Sequence, residues 1–77
     1  MTIFEQVVAE VEPYLGSRSD LFVRRLCDNH LHISHNKLSK EHLTQLSFWA
    51  RISSSLIISR DQAESLEEKI LALGKDA

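Results

Sequence analysis

Apolar residues recur along the chain with a helical period, in four separate runs. In the first, Ile3, Phe4, Val7, Val8, Val11, Tyr14 and Leu15 fall on one helical face, while Glu5, Glu10 and Glu12 occupy the other. This predicts a helix from Ile3 to Leu15. Pro13 cannot donate to the carbonyl of Ala9, so the helix is expected to kink or stop near Glu12, with Gly16 ending the segment.

Ser17-Arg18-Ser19-Asp20 offers two candidate N-caps and an early acid, which marks the start of a second helix. Its apolar face runs through Phe22, Val23, Leu26, Cys27 and, by spacing, His30. Residues 29–37 mix Asn, Ser and His without periodicity and read as a frayed end and a loop. Ser39 is the N-cap expected for a third helix, with Glu41 in its first turn and Leu38 and Leu43 placed as a hydrophobic staple.

Along this third helix Leu43, Leu46, Trp49, Ala50, Ser53, Leu56 and Ile57 form one broad stripe, with small Ala50 and Ser53 at its centre to let another helix approach. Phe48 and Ile52 lie outside it. Ser59 and Gln62 have the spacing of a capping box, which predicts a fourth helix with a narrow seam of Ala63, Leu66, Ile70 and Leu73, stopped by Gly74. One unbroken rod from Ser39 to Leu73 is the alternative. A short β-strand at 55–58 competes locally, since Ile57 and Ile58 are β-prone. The pattern as a whole predicts an all-α fold, a small bundle of about four short helices in one domain spanning residues 1–77.

Length changes this picture. A chain of 77 residues buries only about 60% of the surface exposed by its unfolded form, so small domains usually draw on disulfides, metals or self-association. The single cysteine, Cys27, cannot form an internal disulfide, and a reducing, cytoplasmic setting is expected. No signal peptide and no membrane span are read in the sequence.

Metal binding has one candidate set. Cys27, His30, His35 and His42, with His32 beside them, gather the only thiol and every imidazole within sixteen residues. A zinc site would repeat paired ligands, and only half of such a pattern is present, so no metal and no cofactor are expected and these residues read as packing and loop groups. Their shared region nevertheless predicts weaker stability or self-association between about pH 7 and 5.5, as imidazoles charge together.

Nine basic residues against eleven acidic ones give a formal charge of −2, which argues against a nucleic-acid partner. A small DNA-associated regulator using Arg24, Arg25, Lys37 and Lys40 is the alternative reading. Leu43–Ile57 and the helix after it imitate a helix-turn-helix poorly, because the turn lacks glycine and the following helix carries Glu64, Glu67 and Glu68. Catalysis finds little: Cys27 and His30 lack an orienting third group, and two glycines make no phosphate loop. The residues left over are the exposed apolar ones. Phe48 and Ile52, with Trp49 or Leu56, predict a protein interface, and the expected function is a non-enzymatic interaction or regulatory module acting as a homodimer.

Overall fold

The first turn of the chain shows how its ends are tied. In the computed structural model, which describes residues 2–75, Thr2 caps helix α1 (Ile3–Leu15) by accepting from the Glu5 N–H at 3.1 Å, while the Glu5 carboxylate accepts from the Thr2 N–H at 2.9 Å. That backbone bond is the main reason the Glu5 carboxyl titrates below its ordinary value. Its contribution to stability is therefore present at neutral pH and lost as pH falls through the lowered value.

Three further α-helices follow: α2 (Ser19–Leu26), α3 (Leu43–Ser54) and α4 (Arg60–Ala72). The fold is all-helical, and no strand occurs among the described residues. Residues 55–58, read alternatively as a strand, form the turn between α3 and α4, with the Ile57 and Ile58 N–H groups both donating to the Ser54 carbonyl at 2.8 Å.

Helix α1 runs through Pro13 to Leu15 instead of stopping near Glu12. Pro13 and Ala9 both sit on the exposed side, where water can serve the carbonyl that proline leaves without a donor. Beyond Leu15, Gly16–Arg18 form a 3₁₀ turn leading straight into α2, so the expected serine N-caps are unused. The Ser19 N–H donates to the Gly16 carbonyl, and so does the buried Ser19 hydroxyl at 2.7 Å. Gly16 adopts φ 62° and ψ −132°, a conformation that side chains resist. No neighbouring atom would meet an added Cβ, so a Gly16→Ala change tests the backbone alone. A loss of about 1–2 kcal/mol in denaturant unfolding is the expected result.

Helix α2 continues into a π-helical turn, Cys27–Leu31, closed by His32 in the left-handed region at φ 55°. The following segment is anchored to the core: Leu31 and Ile33 are half-buried, Leu38 is buried, and the His35 ring lies 4.7 Å from that of Phe4 on α1. Ser39 then starts a 3₁₀ turn, Lys40–His42, that feeds α3. The third residue of this capping box is His42, not a carboxylate or amide: its Nδ1 accepts the Ser39 N–H at 3.1 Å.

Helix α3 stops at Ser54, and α4 starts at the expected Ser59–Gln62 capping box, so the two are separate helices. The hydroxyls of Ser54 and Ser55 bond back to the carbonyls of Arg51 and Ile52, competing with the helical ladder where α3 ends. The last turn of α4 tightens, with Leu73 and Gly74 donating to carbonyls three residues back. Gly74 does not take a left-handed stop. It instead lets the chain pass close to α3, since an added Cβ would stand 3.3 Å from Leu43 Cδ1.

All four helices feed one core. Phe4, Val7 and Val11 of α1, Val23 and Leu26 of α2, Leu43, Leu46 and Ala50 of α3, and Leu66 and Ile70 of α4 are buried in a single cluster with Cys27 and Leu38. The largest helix–helix contact is α3 against α4, where Ser47, Ala50 and Ser54 of α3 and Ala63 of α4 are buried small residues. Their hydroxyls need no partner across the contact. Ser47 donates to the Thr44 carbonyl at 2.9 Å, and Ser54 to that of Arg51. Arg51 also pairs with Glu67 at 3.2 Å, and Tyr14 bonds Ser65 at 3.0 Å to join α1 to α4. The Cα radius of gyration is 11.0 Å, close to the roughly 11.5 Å expected for a compact chain of this length. The core is closed within one copy.

Candidate functional site

Closure of the core sharpens the meaning of what stays outside it. Among the described residues five large apolar side chains are exposed: Leu21 at 52%, Phe48 at 43%, Ile52 at 38%, Leu56 at 88% and Ile57 at 60%. Phe48 and Ile52 stand four apart on α3, one turn above the other, on the side away from buried Ser47, Ala50 and Ser54. They form the ridge expected from the sequence.

The ridge is held by ring contacts. Trp49, half-buried, meets Phe48 edge-on at 5.3 Å and is covered by the His30 ring, stacked at 4.1 Å and 10°. The Arg51 guanidinium lies 5.6 Å from the Phe48 centroid while it pairs with Glu67, so one side chain touches both the ridge and α4. These contacts fix the rings in place but leave the outer faces of Phe48 and Ile52 wet.

Leu56 and Ile57 depart from the expected stripe. Because α3 ends at Ser54, both fall in the turn, and neither packs inward: the buried seam of α3 is Leu43, Leu46, Ser47, Ala50 and Ser54. Ser53, read as central to the stripe, is half-buried. Leu21, which the periodicity of α2 passed over, is the fifth exposed apolar group. Its place two residues before buried Val23, about 200° round the helix, was the signal.

The Cys/His set does not converge. Among the described residues no three His, Cys, Asp or Glu groups stand where one ion could be held. His30 stacks on Trp49, His35 on Phe4, and His42 spends Nδ1 on the cap of Ser39, while Cys27 is buried in the core. Spacing in sequence brought these groups near one another, but the π turn and the anchored segment after it send the rings to different neighbours. Burial, with a smaller effect from Asp28, pushes the Cys27 thiol above its ordinary pKa. A raised pKa and no exposed surface make a poor nucleophile. A disulfide reagent at pH 8 is expected to label folded protein many-fold more slowly than protein in guanidinium. Rapid stoichiometric labelling of the folded chain would contradict this burial.

The basic residues have different surroundings. Arg24 pairs with Asp20 one turn earlier and lies 5.5 Å from the Phe4 ring, whereas Arg25 lines a groove beside Phe22 and Ile57. Lys37 and Lys40 belong to two different 3₁₀ turns, His35–Lys37 and Lys40–His42. Among the described residues no helix is long and apolar enough to cross a membrane.

Family models, curated proteins and solved structures were compared with the chain, and none matches it.

Proposed function

We propose that this chain is a non-catalytic protein-interaction module whose working form is a two-fold homodimer joined through the α3 ridge. The observation that carries the reading is the pair Phe48 and Ile52, exposed at 43% and 38% on a helix whose opposite side is fully buried. A core already complete in one copy has no use for two large apolar groups on its outside, and such patches commonly mark protein contacts.

A ridge of this kind suits a two-fold axis. Phe48 of one copy can lie between Phe48 and Ile52 of the other, and the same patch then serves both sides, as isologous contacts require. Trp49, pinned beneath by His30, supplies a rigid flank, and Leu56 in the adjoining turn supplies further apolar area. A cytoplasmic setting belongs to the same proposal and rests on the lone cysteine.

The test is the mass in solution of the wild-type chain beside a Phe48→Ser, Ile52→Ser variant. Twice the chain mass for the first and the single chain mass for the second, with unchanged helical circular dichroism, is the expected result. The single chain mass in both would refute the dimer.

A further inference from the structure

The five exposed apolar groups are not one patch. Leu21 and Ile57 open onto a separate groove of about 340 Å³ between the α1–α2 corner and the α3–α4 turn, whose walls also include Leu15, Phe22, Arg18 and Arg25. A second hollow of about 260 Å³ shares Phe22, Arg25 and Ile57 with it and extends toward His30 and Ser53. The floor is hydrocarbon and aromatic, and the only charged groups on the walls are two guanidiniums. Among the described residues neither Arg18 nor Arg25 makes an ion pair, whereas Arg24, next to Arg25 on α2, is taken by Asp20.

We infer that this groove docks a short amphipathic helix of another protein, one whose apolar residues fill the floor at Leu21 and Ile57 and whose Asp or Glu side chains meet Arg18 and Arg25. Two unpaired cations beside an apolar trough specify such a ligand by charge and by shape together. The surrounding elements are helices, with no strand edge to extend, so an incoming peptide gains most by arriving with its own backbone bonds satisfied. Bidentate pairing suits arginine to a carboxylate.

A second copy of this chain fits less well. The exposed acids of its α4 (Asp61, Glu64 and Glu68) lie on a helix whose apolar seam is already buried, so they bring no apolar face with them to fill the floor. Nucleic acid would satisfy the guanidiniums but leave Leu21 and Ile57 without a partner. The inference does not rest on the dimer, because neither Leu21 nor Arg18 belongs to the Phe48–Ile52 ridge.

The experiment selects ligands without prejudice: a displayed library of short random peptides is panned against the folded wild-type protein. Enriched peptides are expected to combine helically spaced apolar residues with Asp or Glu. Synthetic copies should bind about tenfold or more weakly to Leu21→Ser, Ile57→Ser and to Arg18→Glu, Arg25→Glu, the size of effect that loss of an interface anchor produces. They should bind the Phe48→Ser, Ile52→Ser variant unchanged, which separates the groove from the dimer. All four groove positions lie at the surface, and helical circular dichroism checks that the variants fold. No enrichment, enrichment of basic or neutral peptides, or binding indifferent to these substitutions would overturn the inference. So would tight binding of a DNA duplex at low salt that Arg18→Glu, Arg25→Glu abolishes, since phosphate would then be the ligand.

Discussion

Replacing Leu46 with alanine is expected to remove about 2–5 kcal/mol from the stability of the fold, the cost of a cavity where no solvent reaches. Leu46 is fully buried in the first half of α3, inside the cluster to which all four helices contribute. A domain of this length holds roughly 4–12 kcal/mol in total at the usual yield per residue, so one substitution consumes a large share of it. Leu66→Ala on α4 should behave alike, as that side chain is equally buried. Leu56→Ala should not. At 88% exposure it stands outside the core, and its effect on dilute protein should stay within about 0.5 kcal/mol. Urea titration of the three variants checks the contrast, and a Leu56→Ala loss as large as that of Leu46→Ala would disprove this assignment of core and surface.

Ala50→Phe is the second large effect, and its cause is the opposite one. Ala50 is fully buried in the cluster that also holds Leu43 and Leu46 of α3 and Leu66 and Ile70 of α4, so its methyl group is enclosed by neighbouring side chains. A phenyl ring has no room there. Overpacking of this kind costs about 3 kcal/mol or more when the backbone must move to admit it. Ser54→Ala supplies the control, since its hydroxyl bonds only to the Arg51 carbonyl of its own helix at 3.4 Å. Loss of that weak bond should change stability by less than about 1 kcal/mol. Equal denaturant midpoints for Ala50→Phe and wild type would show that small size at position 50 does not set the helix spacing.

Much of this arrangement was legible because it is local. The Ser59–Gln62 capping box marked the break between α3 and α4, and the seam of Ala63, Leu66 and Ile70 marked the buried side of α4, each decided within a few residues. The end of α3 was misjudged because its stop is a run of serines bonding to their own carbonyls, a signal weaker than glycine or proline. Extending the helix three residues too far carried Leu56 and Ile57 onto an imaginary inner face. In residues 31–38 the helical period fails, because a π turn ending at Leu31, a left-handed His32 and the 3₁₀ turn His35–Lys37 follow one another with no shared repeat. Phe48 and Ile52 were readable as surplus since their angle on α3 follows from position alone. The groove was not, because it is assembled from the end of α1, the face of α2 and a turn, and only tertiary packing sets those three side by side.

The bond from Tyr14 to Ser65 spans 51 residues, whereas α3 and α4 are joined by a turn of five. Closing a loop about ten times longer costs roughly 2 kcal/mol more in chain entropy, on a logarithmic scale. The α3–α4 hairpin can therefore assemble on its own account early, while the docking of α1 on α4 must await the other end of the chain. During synthesis the order is reversed, since α1 leaves the ribosome first. Phe4, Val7 and Val11 are then covered only in part, by α2, until α4 has emerged, and that interval is when the nascent chain most needs protection from aggregation.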